Sequence, residues 1–120
     1  VAADLAFDTV LVVDDNVQNR ALAKAMLDDQ GIQVVLAATG EEAIAAFSLA
    51  QPDCILLDIR MPGMDGLTVC EQIRALPSGD RVAIVFVTAL RDVETFDRAL
   101  RAGGDDFMTK PFRPAELMVR

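Results

Sequence analysis

The apolar positions of this chain fall into two textures. Short unbroken runs stop abruptly at polar residues: Val10 to Val13 before Asp14-Asp15, Cys54 to Leu57 before Asp58, and Val82 to Val87 before Thr88. Between them, apolar residues recur three or four positions apart among charged ones. Unbroken runs of this length suit strands buried on both faces, as in a parallel sheet covered by helices. The spaced pattern predicts amphipathic helices.

In chain order the pattern predicts a lead-in over residues 1–8, then a strand from Thr9 to Val13. A helix follows from Asn16 to Gln30, with Leu22, Met26, Val17 and several alanines on its apolar side and Gly31 as its stop. Ile32 to Ala37 reads as the second strand. Thr39 and Glu42 have capping-box spacing for a helix to about Ala50, packing through Ala43, Ile44 and Phe47. Gln51-Pro52 ends it, and the Cys54–Asp58 strand turns at Pro62-Gly63 into a helix over Leu67 to Leu76 that faces inward through Val69, Cys70 and Ile73. The strand ending at Thr88 leads to a helix from Arg91 to Ala102, a short strand around Phe107, and a last helix starting near Pro114. Five βα units imply one parallel sheet with helices on both faces. The chain starts at Val1 rather than Met and stops a few residues into the expected last helix, so it reads as a domain cut from a longer protein.

Charge and composition narrow the chemistry. The 120 residues suffice for one core. Eleven basic against nineteen acidic residues, a net charge of −8, argue against direct nucleic-acid binding and favour a divalent cation or a basic partner surface. No apolar run reaches the roughly 18 residues of a membrane span, and no signal peptide is visible. Two cysteines, one expected in a buried strand, indicate neither a disulfide frame nor a zinc cluster and point to a reducing, cytoplasmic setting. With no histidine, the chain has no imidazole base and cannot carry phosphohistidine.

In a parallel sheet all strand C-termini lie along one edge, where open α/β sheets bind ligands. That edge gathers Asp14 and Asp15 from the first strand, Asp58 from the third, Thr88 from the fourth and Lys110 from the fifth. The second strand offers only Ala37-Ala38 and fits an outer position. Three carboxylates in one crevice repel each other unless a cation intervenes. Mg²⁺ suits them, with Mn²⁺ as a substitute, because it takes oxygen ligands and needs few carboxylates. Lys110 adds a compact cationic donor for a phosphoryl oxygen and Thr88 a hydroxyl. Together these are the parts needed for phosphoryl transfer onto an aspartate, with Asp58 as nucleophile.

The stretches Val12-Val13-Asp14-Asp15, Leu57 to Gly66, Val87-Thr88-Ala89 and Lys110-Pro111-Phe112 resemble the signature of bacterial two-component response-regulator receiver domains, from about Thr9 to the end. The resemblance implies a flavodoxin-like sheet of order 2-1-3-4-5. It implies that Asp58 is the phosphoacceptor, and that Asp14, Asp15, Asp58 and the Arg60 backbone carbonyl hold Mg²⁺. It further implies that Thr88 and Lys110 bind the phosphoryl group, that Thr88 and Phe107 switch together, and that a cis peptide precedes Pro111. The implied partners are a histidine kinase or histidine phosphotransfer domain and an output domain or protein. A homodimer through the fourth helix, fifth strand and fifth helix is also implied. The domain would assist its own phosphorylation and hydrolysis without being a multi-turnover enzyme.

Three positions depart from the most familiar pattern. Phe107 has no phenolic hydroxyl, Arg60 puts a long cation two residues beyond the phosphoacceptor, and Leu90 puts an apolar side chain two beyond Thr88. Arg60 and Leu90 are expected to slow hydrolysis by crowding the attacking water. Two competing readings are a receiver-like scaffold that is never phosphorylated and a small Mg²⁺-dependent phosphohydrolase. The complete acidic pair, Asp58, Thr88 and Lys110 weigh against the scaffold. The absence of a second acid/base beside Asp58 and of a cap insertion weighs against the hydrolase.

Overall fold

The computed structural model describes residues 8–89 and 93–110. Its elements are β1 (Thr9–Val13), α1 (Val17–Asp29), β2 (Gln33–Ala37), α2 (Gly40–Ala50), β3 (Cys54–Leu57), α3 (Gly66–Arg74), β4 (Ala83–Thr88), α4 (Val93–Arg101) and β5 (Asp106–Thr109). The strands form one parallel sheet of order β2-β1-β3-β4-β5, so β2 occupies an edge as expected. Residues 1–7 of the expected lead-in, the expected last helix, the Lys110–Pro111 peptide geometry, Leu90, and Arg91 and Asp92 of the fourth helix lie outside the described residues.

Each central strand divides its side chains between two buried layers, which is why its apolar run has no gaps. Leu11, Val13, Ile55, Leu57, Ile84 and Phe86 pack with Ala43 and Phe47 of α2, Val69, Cys70 and Ile73 of α3 and Ala99 of α4. The alternate positions Val10, Val12, Cys54, Leu56, Val85 and Val87 face Ala23 and Leu27 of α1. Both cysteines are free and buried.

The start of α2 follows the capping expectation, and α3 has a side-chain cap as well. Thr39 Oγ1 accepts from the Glu42 N–H at 3.1 Å, and Glu42 Oε1 accepts from the Ala38 N–H at 2.8 Å, one residue before the cap. Asp65 caps α3 by accepting from the Thr68 N–H at 2.9 Å.

The inner face of α1 differs from the sequence expectation. Ala23 and Leu27 are buried and Met26 packs partly buried beside them as expected, whereas Leu22 is 48% exposed and Val17 66%. Both Leu22–Met26 and Ala23–Leu27 have the four-residue spacing. The sheet surface opposite is built of branched side chains, and Ala23 lets α1 approach it closely. Leu22 is turned toward a cleft of about 360 Å³ that also touches Asp14, Asp58 and Lys110.

Candidate functional site

Sheet register brings the polar residues together. Each of three site residues stands one position beyond its strand and is held there by one further ladder hydrogen bond. The Asp14 N–H donates to the Ala37 carbonyl at 3.1 Å, the Asp58 N–H to Val13 at 3.0 Å, and the Lys110 N–H to Thr88 at 2.9 Å. The parallel sheet therefore places Asp14, Asp58 and Lys110 side by side without help from any loop.

The Lys110 ammonium lies 3.0 Å from Asp14 Oδ2 and 3.1 Å from Asp58 Oδ2. Asp14 and Asp58 are buried, at 6% and 5% exposure, and Thr88 is buried at the end of β4. Asp15 is exposed, yet one carboxylate oxygen each from Asp14, Asp15 and Asp58 lies within 4.8 Å of the others. This acceptor-only cluster of hard oxygens fits a divalent cation such as Mg²⁺. The three expected carboxylates are thus brought together. For Arg60, the described contact is its N–H, which donates to Asp58 Oδ1 at 3.3 Å. Its exposed side chain lines a separate cleft with Met61, Thr95 and Arg98.

The electrostatics follow from this geometry. Burial pushes the Asp58 carboxyl above its ordinary value; the Lys110 charge opposes that and the Asp14 charge adds to it. Burial pulls the Lys110 ammonium down, but the hydrogen bond it donates to Asp14 and the charge of Asp58 outweigh it, leaving Lys110 raised. Asp58 is therefore a poorly compensated anion beside a cation held firmly protonated.

Several positioning residues escaped the sequence reading. Asp14 Oδ1 accepts from the Asn16 N–H at 2.9 Å, and Asn16 Oδ1 in turn caps α1 through the Gln18 and Asn19 N–H groups. The Arg20 guanidinium donates to the Asp14 backbone carbonyl at 2.7 Å. The Asp15 loop is thereby tied to α1 at both ends. Gly66 brings α3 so close to β3 that a Cβ there would fall 2.1 Å from the Asp58 carbonyl oxygen. The capping signals at Asn16 and Asp65 could have been found from residue type and position. Arg20 and Gly66 act on distant backbone and leave no periodic trace.

Phe107 is half-buried on β5, and its ring meets Phe96 of α4 edge to face. Among the described residues, no helix is long and apolar enough to cross a membrane.

Known proteins share both this sequence and this fold. The chain is 40% identical over 111 residues to the probable transcriptional regulator ycf27 of Cyanophora paradoxa, covering 92% of the chain and 45% of that protein. It is 38% identical over 111 residues to the DNA-binding response regulator MtrA of Mycolicibacterium paratuberculosis, covering 92% of the chain and 48% of that protein. The chain thus spans less than half the length of these relatives, and MtrA's name runs against the expectation of no direct nucleic-acid binding. Among solved structures, the chemotaxis protein CheY4 of Vibrio cholerae superposes with a TM-score of 0.88 at 31% identity, covering 95% of each chain. The model of the Response regulator receiver domain matches residues 10–120. With the acidic pocket, the sheet order and this match in agreement, the chain belongs to the response regulator receiver domain family, whose members are signalling domains.

Proposed function

We propose that this domain is a phosphorylation switch in which Asp58 accepts a phosphoryl group from a phosphohistidine of a histidine kinase or phosphotransfer protein. An Asp58 oxygen attacks phosphorus in line, the P–N bond breaks, and the imidazole leaves with its electron pair. The carrying observation is the Lys110 ammonium set 3.0 and 3.1 Å from Asp14 and Asp58 beside the three-carboxylate cluster. Mg²⁺, held by Asp14, Asp15, Asp58 and the Arg60 carbonyl, would supply charge neutralisation on the transferring group. Lys110 holds a phosphoryl oxygen, and Thr88 donates its hydroxyl to another. Asp14 stays buried, anchored through Asn16 and Arg20.

The new dianion then draws Thr88 toward it and frees space for Phe107. A two-state equilibrium shifts around α4, β5 and the chain that follows. That surface presents the output, to a second copy or to an output domain, which in the whole protein includes DNA binding if it follows MtrA. The domain promotes its own phosphorylation and hydrolysis and turns over no outside substrate.

The test is incubation with Mg²⁺ and acetyl phosphate followed by intact-mass measurement. One phosphate adduct that vanishes in Asp58→Asn is expected. Turnover of acetyl phosphate without an adduct would favour a phosphohydrolase, and no reaction at all a scaffold.

A further inference from the structure

Phe107 stands opposite Phe86 in the β4–β5 register and packs against the layer formed by α2, α3 and α4. Its ring also meets that of Phe96 on α4, with centroids 5.6 Å apart and planes at 78°. Phe96 is itself 43% exposed and sits among the charged residues Glu94, Asp97, Arg98 and Arg101, so core burial does not explain an aromatic at this position. An edge-to-face pair sets the positive edge of one ring on the negative face of the other, an attraction beyond area burial. Phenylalanine has no hydrogen-bonding group, so packing alone decides which way the Phe107 ring points.

We propose that Phe96 is a latch on Phe107: its ring holds Phe107 in the orientation seen here and thereby sets the resting population of the switch. This rests on the phosphorylation reading above. It adds to that reading a positioning residue on α4 that stands in for the hydroxyl Phe107 lacks. Because the two rings belong to different elements, reorienting Phe107 requires α4 to give up this contact. The latch thus couples the aromatic to the helix directly.

Ring signals of ¹³C-labelled phenylalanine, assigned to Phe107 with Phe107→Leu, read its orientation without any phosphorylation. Removing one such ring pair shifts an equilibrium by between about two-fold and about twelve-fold. Phe96→Ala is expected to raise the second Phe107 orientation by a factor in that range and to speed adduct formation with acetyl phosphate comparably. Phe96→Leu, which keeps bulk without the ring, should behave like Phe96→Ala, and Phe96→Tyr like the parent. In a Phe107→Leu background, Phe96→Ala should leave the adduct rate unchanged. Unaltered Phe107 signals in Phe96→Ala, parental behaviour of Phe96→Leu, or an undiminished rate effect in the Phe107→Leu background would each overturn the latch. If the parent forms no adduct, the phosphorylation reading fails while the ring signals still decide whether Phe96 holds Phe107.

Discussion

The two edges of the sheet use aspartate in opposite ways. At the edge where strands begin, Asp53 and Asp105 each stand one residue before a strand. Asp53 Oδ2 accepts from the Asp8 and Thr9 N–H groups at 2.9 and 3.0 Å. Asp105 Oδ2 accepts from the Ile84 N–H and the Arg74 guanidinium, both at 2.8 Å. At the edge where strands end, Asp14 and Asp58 each stand one residue after a strand, and their Oδ2 atoms share the single Lys110 ammonium. One edge thus supplies its carboxylates with donors of their own, and they join strands. The other gathers three carboxylates around one ammonium, and that excess of negative charge makes it reactive toward cations and phosphoryl groups.

The largest effect should come from removing the organiser of the first edge. Arg74 donates to the carbonyls of Gly103 (2.9 Å), Gly79 (2.9 Å) and Val82 (2.6 Å) as well as to Asp105. It ties the end of α3 to the loops before β4 and β5. Arg74→Ala leaves these acceptors without their donor and should cost about 3 kcal/mol in urea denaturation. Lysine, lacking the fork, should recover little of it. A loss below about 0.5 kcal/mol, the range of an ordinary surface substitution, would remove the contrast between the edges.

Neutralising one aspartate at each edge should then change stability in opposite directions. Asp105→Asn weakens a pair that is partly open to solvent and should cost about 1 kcal/mol. Asp58→Asn in chelator removes a carboxylate whose charged form its surroundings disfavour, and should shift the urea midpoint upward. Mg²⁺ should raise the melting temperature of the parent and do so far less in Asp58→Asn. If both substitutions destabilise equally, Asp58 is a structural aspartate like Asp105.

How much of this was legible in the sequence depends on what each residue touches. The strands read clearly because β1, β3 and β4 are buried on both faces, and each run ends at the residue its last ladder bond places in the site. Asp14, Asp15, Asp58 and Thr88 could be collected on one edge from that alone, whereas Lys110 follows the partly buried β5 and was placed there by the βα alternation. The face of α1 was not legible, because Leu22–Met26 and Ala23–Leu27 compete at the same spacing and only close approach to the sheet decides between them. Arg20, Gly66 and Arg74 were invisible for another reason. They serve backbone carbonyls or backbone contact, which carry no side-chain pattern.

A smaller effect separates the edges by pH. The folded-state pKa of Asp58 is raised, so above it the folded protein bears a charge that the unfolded chain carries more easily. Stability from this group increases as pH falls through the folded value, and the gain is complete below the unfolded value near 3.8. Lys110 is also raised, but as a cation. Its contribution is fully present below 10.5 and is lost as pH rises through the folded value. Subtracting the metal-free Asp58→Asn stability curve from the parent's isolates the acid arm, since other carboxylates titrate in both. A difference that grows toward acid, with the parent losing ground, would reverse the sign and refute the description of Asp58.

The least change is expected at Cys54, where the strand-start edge acts on a thiol. Cys54 opens β3, fully buried, and burial, then the charges of Asp105 and Asp53, push its thiol up to about 12. Cys70 on α3 is raised to about 11, by burial first. Thiolate is the nucleophile, so neither cysteine should react with iodoacetamide in the folded state near neutral pH. Labelling should proceed only through opening of the fold, at a rate that urea accelerates in step with unfolding. Because burial is the largest cause, neutralising Asp53 or Asp105 should leave Cys54 unreactive unless the substitution also loosens the sheet. Rapid labelling of Cys54 in a variant of unchanged stability would show that the two aspartates, rather than the core, had kept that thiol protonated.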